Sequence, residues 1–315
     1  MSTMQAISLC ASSERPKRLV FISSTSVLDT PFYQSPENQP VSETDELDGA
    51  REGLPNGYSQ TKWVAEQILR EAGRRGLDGC VVRSCYVVGD RETGACNTDD
   101  FIWRVVKASV ELGCAPLLEG AGLELNAVPV GDIARIVAKV SGASGGGMMT
   151  TVNVTAPTLP SFNAIHASLQ PTIPMVPYAE WLARLKERKT KTALAPLLHL
   201  IFAGILQQKS VRLGCANLRA VMGSEEEMDT LSVTPESIKM YLEWLKGVGW
   251  LDGGEESDMQ TGGLDEQWFS GRHDEDGATG LCGAGDMVVR INEVMVSVMA
   301  HNTAKVETAC SANAS

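Results

Sequence analysis

Three residues could do chemistry together. Tyr58 and Lys62 lie in the run Tyr58-Ser59-Gln60-Thr61-Lys62. On a helix, residues four apart point to the same side. An ammonium beside a phenol favours the phenolate and lowers its pKa. Such a phenol can exchange a proton with a substrate oxygen while hydride moves, and the lysine can also hold a cofactor ribose. A third hydroxyl is needed to fix the substrate oxygen. Ser24 supplies it at the end of the apolar run Arg18–Ser24, where open α/β sheets place their ligands. The Tyr–Lys spacing alone also describes a solvated helix face. The strand ending in Ser23-Ser24-Thr25 before it, and the strand directly after it, favour the chemical reading.

Other candidates are weaker. Gly277–Gly283 matches G-x-x-G-x-x-G literally but follows His273-Asp274-Glu275-Asp276, whose acids would repel a pyrophosphate. It reads as a chance match. His166 and His199 stand alone and read as packing residues, and Trp181, Trp244 and Trp250 read as core. Asp99 and Asp100 are adjacent and face apart, so they are not an acid–base pair. Arg104 and Lys107 read as a solvated helix face. The eight cysteines form no C-x-x-C pair and have no histidine at metal-ligand spacing. They read as free thiols of a reducing, cytoplasmic protein.

The elements that must position Ser24, Tyr58 and Lys62 are legible in outline. Gln5–Ala11 resembles the end of a helix, and Arg18–Ser24 is a buried parallel strand. Thr25–Pro55 reads as a long loop, Tyr58–Arg75 as a helix and Cys80–Val88 as a second strand. That order is βαβ grammar. Helices are predicted at Asp100–Leu112, Asp132–Val140, Tyr178–Arg188 and Thr234–Lys246, and a third strand at Met149–Val154. The fold class is α/β: a partial NAD(P)-binding Rossmann-type parallel sheet with a mostly helical substrate-side subdomain and a disordered acidic tail. Residues 1–90 and about 127–156 are assigned to the Rossmann part, 91–126 and 157–252 to the substrate side, and 253–315 to the tail.

Composition agrees. The chain has 315 residues, 43% hydrophobic, with a net charge of −12. Twelve acids and only three bases fall between Asp252 and Ser315, so most of the charge sits in that stretch. An acidic chain argues against nucleic-acid binding. The most apolar stretch, Ala193–Leu206, is broken by Pro196 and His199 and is too short to span a bilayer, so no membrane partner is expected.

With these motifs in view, the chain resembles an extended short-chain dehydrogenase/reductase. More closely, it is similar to the thioester reductase domain of fungal α-aminoadipate reductase and carboxylic acid reductases. The carrying motifs are Phe21–Thr30 (FISSTSVLDT), Gly57–Glu66 (GYSQTKWVAE), Arg70–Gly79 (REAGRRGLDG), Asn97–Phe101 and Val128-Pro129-Val130, with Tyr241–Leu251 as a closing helix. The resemblance implies that Ser24 positions a thioester carbonyl, Tyr58 donates the proton, and Lys62 orients Tyr58 and the nicotinamide ribose. It implies NADPH as cofactor, with the backbone at Ser84 and Cys85 beside the nicotinamide. It implies a phosphopantetheine thioester as substrate, delivered by an acyl carrier domain and reduced to an aldehyde, as in aminoadipate-semialdehyde formation for lysine biosynthesis.

The sequence departs from that pattern in three ways. The family's opening strand and glycine-rich phosphate loop are not found before Arg18. Ser84-Cys85 stands where the family has Pro-Gly. No adenylation or carrier domain is present. The isolated chain is therefore expected not to bind NADPH tightly or reduce thioesters, and to associate through an open sheet edge. Three alternatives stay open: a catalytically silent fragment or interaction module, a reductase of an aryl or peptidyl acid, and a sugar-nucleotide epimerase.

Overall fold

The computed structural model describes residues 2–12, 17–120, 123–143, 148–169, 172–188 and 191–252. The expected acidic tail and the Gly277–Gly283 motif lie outside the described residues. The chain runs α1 (Thr3–Ala11), β1 (Leu19–Ser24), α2 (Pro31–Gln34), α3 (Gly57–Arg74), β2 (Gly79–Ser84), β3 (Tyr86–Val88), α4 (Phe101–Leu112), β4 (Ala115–Leu117) and β5 (Ala127–Pro129). It continues through α5 (Val130–Gly142), β6 (Met149–Asn153), α6 (Phe162–Ala167), β7 (Met175–Pro177), α7 (Tyr178–Arg188), α8 (Leu198–Phe202), α9 (Ala216–Met222), α10 (Glu225–Asp229) and α11 (Pro235–Gly247).

The main sheet is parallel, in the order β1-β2-β6, with Ser24 opposite Ser84 and Gly79 opposite Met149. Alternation along β1 divides the core. Leu19 and Phe21 meet Ala65 and Leu69 of α3 together with Ala6 and Cys10 of α1. Val20 faces the other way, toward Ile133, Ile136 and Val137 of α5 and Leu218 of α9. The result is three layers, helix–sheet–helix, as a parallel sheet requires. Gly79 leaves no room for a side chain against β1: a Cβ there would lie 2.4 Å from the Leu19 carbonyl oxygen. Among the described residues β1 is an edge strand.

Two sequence readings are corrected. Cys80–Val88 is not one strand: β2 ends at Ser84, and Tyr86–Val88 leaves the main sheet to pair with Ala127–Pro129. The chain thereby turns at Cys85 from the Rossmann sheet toward the second cluster. Thr25–Pro55 is not a bare loop either. It holds α2 and short turns, and it buries Val27, Leu28, Tyr33, Val41 and Leu47 in a cluster of its own. Their irregular spacing carries no helix or strand period, so the pattern of the sequence does not reveal it.

A larger cluster lies beyond the end of the main sheet, with Trp103 of α4, Trp181 of α7 and Tyr241 of α11 fully buried in it. Trp244 and Trp250 are partly buried against it. α11 begins as its sequence predicts: the Thr234 side chain accepts from the Ser237 N–H, and Pro235 takes the first turn. No described helix is long and apolar enough to cross a membrane.

Candidate active site

The Asn56 side chain caps α3 by accepting from the Ser59 N–H, and that start fixes the phase of the helix. Tyr58, Lys62 and Glu66 then follow at four-residue steps on the face turned toward β1. Ser24 ends β1, where its Oγ accepts the Ser26 N–H at 3.1 Å. The three predicted residues converge on one cavity of about 720 Å³, together with Ser84 and Cys85.

Tyr58 is half exposed at this cavity. The Lys62 side chain is buried, and its Nζ donates to the Ile22 carbonyl oxygen at 2.9 Å. Nζ also lies 5.8 Å from the centre of the Tyr58 ring and 5.1 Å from that of Phe21. The sequence reading that Lys62 lowers the phenol pKa is corrected here. Loss of solvation raises it, and the counteracting partner is the Ser24 hydroxyl. The ammonium is engaged by a backbone carbonyl and the ring faces. At neutral pH the phenol therefore keeps its proton, the state a proton donor needs. Burial lowers the Lys62 pKa, and the Glu66 carboxylate raises it.

Beneath this face lies a buried ion pair that the sequence reading missed. Arg83 on β2 and Glu66 on α3 are fully buried, with Nη2 2.9 Å from Oε2 and Nε 3.2 Å and 3.1 Å from the two carboxylate oxygens. The Ser23 hydroxyl donates to Glu66 at 2.6 Å, and Arg83 donates to the Asn153 Oδ1 at 3.2 Å. Asn153 donates onward to the carbonyls of Val41 and Gly214, while Glu43 accepts from the N–H groups of Asn153, Asn217 and Leu218. The network thus joins α3, the three strands, the 25–55 segment and the start of α9. A charge in the middle of the apolar run CVVRSCYVV is the signal that could have exposed it, because a buried arginine needs an acid.

Other sequence candidates are placed plainly. Cys85 is buried and its thiol is pushed up to about 12 by lost solvation, so it is not a reactive thiolate. The described cysteines are free, and no described cluster of His, Cys, Asp and Glu could hold a metal. His166 is fully buried, whereas His199 is exposed and lines the cavity. Asp99 pairs with Arg104, and Asp100 caps α4 by accepting from the Ile102 N–H. Lys107 donates to the Asp252 carbonyl and covers the Trp250 ring. Asp29 and Asp100 both line the cavity, a role the sequence reading gave to neither.

Residues 1–137 match a family model described as "Male sterility protein", an NAD-binding family. The chain is 35% identical over 271 residues to the L-2-aminoadipate reductase large subunit of Eremothecium gossypii, covering 80% of this chain. It is 34% identical over 273 residues to L-2-aminoadipate reductase of Saccharomyces cerevisiae, again over 80%. The terminal R domain of the myxalamid PKS-NRPS pathway superposes with a TM-score of 0.60 at 28% identity, covering 78% of this chain and 61% of that one. The chain belongs to the NAD-binding thioester reductase domain family. A thiolation-reductase di-domain from an archaeal nonribosomal peptide synthetase shares the fold at 16% identity and a TM-score of 0.60.

This reductase-family chain spans only 19% of the length of those two curated relatives. Among its described residues, buried Lys62, the Tyr58 phenol, Ser84 and Cys85 line one cavity at the strand ends. No described strand-to-helix turn is glycine-rich, so these residues hold no cradle for a pyrophosphate.

Proposed function

We propose that this chain carries the carbonyl-orienting and proton-donating part of a site that reduces a carrier-bound acyl thioester to an aldehyde with NADPH. The observation that carries this reading is the meeting of Ser24, Tyr58 and buried Lys62 at one cavity, at the carboxyl ends of parallel strands. Ser24 and Tyr58 offer hydroxyls to the thioester carbonyl oxygen. A nicotinamide bound here would supply hydride to the carbonyl carbon. Tyr58 would give its proton to the oxygen as charge develops there, and Lys62 would hold the ribose and orient the phenol. The resulting hemithioacetal then loses the pantetheine thiol and leaves the aldehyde.

The names of the curated relatives support aminoadipate, and hence lysine biosynthesis, as the acid and pathway of the lineage. The thiolation-reductase di-domain supports an acyl carrier domain as the partner that delivers the phosphopantetheine arm. The open edge of β1 supports association with a further strand.

The test joins residues 1–315 to an upstream strand, glycine-rich turn and helix of the family type, and follows NADPH oxidation with acyl-pantetheine thioesters. Aldehyde should form. Tyr58→Phe should cut the rate by about 10²–10⁴-fold with cofactor affinity nearly unchanged. Lys62→Ala should weaken cofactor binding as well. An undiminished rate in Tyr58→Phe would remove the proposed proton donor.

A further inference from the structure

The cavity continues past Ser24 and Tyr58 into a wall that the reaction itself does not need. Tyr86 of β3 stacks on Phe101 of α4 with ring centres 6.0 Å apart. Phe101 in turn meets Phe162 of α6 edge-on at 6.4 Å. All three rings line the cavity, and Leu123, Leu200 and Leu206 add aliphatic surface. A continuous aromatic wall of this kind recognises a flat apolar body by area and by ring geometry.

The charges on the lining point the same way. Asp29 and Asp100 are both close enough to Tyr86 to act on its phenol, after the larger effect of burial. The Asp29 carboxyl makes no hydrogen bond or ion pair within the described chain, and lost solvation raises it to about 7. Asp100 is raised to about 6 by the same cause, against the opposing Ile102 N–H. No arginine lines the cavity among the described residues. The remaining ionisable lining groups besides Lys62, Cys85 and the tyrosines are Glu124, His199 and Lys209, and all three are exposed. Burial favours the neutral form of both carboxyls, so this end of the cavity suits an uncharged acyl body.

We infer that the acyl group received here is bulky, apolar and aromatic at its far end. Its body lies along Tyr86, Phe101 and Phe162. This rests on the thioester reading of the site, and it departs from the aminoadipyl group suggested by the curated relatives.

The test is direct binding to the purified full chain, without cofactor, of three pantetheine thioesters: acetyl, phenylpropanoyl and aminoadipyl. Apolar burial is worth roughly fourfold in affinity per methylene. The phenylpropanoyl thioester should therefore bind at least about tenfold more tightly than acetyl, and more tightly than aminoadipyl. Phe101→Ala should weaken phenylpropanoyl binding by more than it weakens acetyl binding. Equal binding of phenylpropanoyl and acetyl, or tightest binding of aminoadipyl, overturns the inference while the thioester reading stands. Binding of no thioester above free pantetheine overturns both.

Discussion

Glu66→Gln tests the buried frame under Lys62. The wild-type carboxylate faces the Arg83 guanidinium through three contacts of 2.9–3.2 Å and receives the Ser23 hydroxyl at 2.6 Å, with both charged side chains fully buried. Removing one partner of a buried pair costs about 3–5 kcal/mol, because the other charge is left uncompensated. Glutamine keeps one acceptor for Ser23 or Arg83, so the loss should fall near the lower end, about 3 kcal/mol. At this chain length 1 kcal/mol moves Tm by about 2–4 °C, so a drop of about 6–12 °C is expected. Urea denaturation followed by circular dichroism measures the free energy, and a thermal scan measures the shift. The double variant Glu66→Leu, Arg83→Met removes both charges and should recover most of the loss, since apolar replacement of a buried pair is often neutral. A Glu66→Gln change within about 0.5 kcal/mol of wild type would refute the reasoning, as would a double variant no more stable than the single one.

Three further outcomes follow from the same geometry. His166 is fully buried, and burial, opposed by the nearby Pro116 carbonyl, lowers its pKa to about 4. The unfolded chain binds that proton first, so its contribution to stability is lost as pH falls from about 6.5 to about 4. His166→Leu should flatten that limb of a stability–pH curve. Asp29 has the opposite sign: with its folded pKa raised to about 7, the folded state holds the proton longer, and stability falls as pH rises from about 4 to about 7. Asp29→Asn should remove that slope and leave the protein more stable than wild type in urea titrations at pH 8. Gly79→Ala should cost about 1–3 kcal/mol in urea denaturation, because its Cβ would press on the Leu19 carbonyl of the neighbouring strand.

The meeting of Ser24, Tyr58 and Lys62 at one cavity was legible because the elements that carry them are strongly periodic and capped. Asn56 and the apolar stripe fix α3, the hydroxyl-ended run fixes β1, and Thr234-Pro235 fixes α11. The break at Cys85 was not legible, because valine pairs on both sides of it read as one continuous strand across Cys80–Val88. The change of strand partner depends on Ala127–Pro129, some forty residues later. The pairing of Glu66 with Arg83 was not legible, since it needs α3 laid across β2. Asp29 and Asp100 belong to local turns and caps, and only the closure of α4 and α6 over the strand ends brings them to one cavity.

The central claim is that a thioester carbonyl rests between the Ser24 and Tyr58 hydroxyls. The most direct measurement is the carbonyl ¹³C resonance of a carbonyl-labelled phenylpropanoyl-pantetheine bound to the full chain. Two hydroxyl donors polarise the carbonyl, so the resonance should move downfield on binding. It should move back in part in Ser24→Ala and in Tyr58→Phe, and fully in the double variant. A bound resonance that is the same in wild type and the double variant would contradict the account.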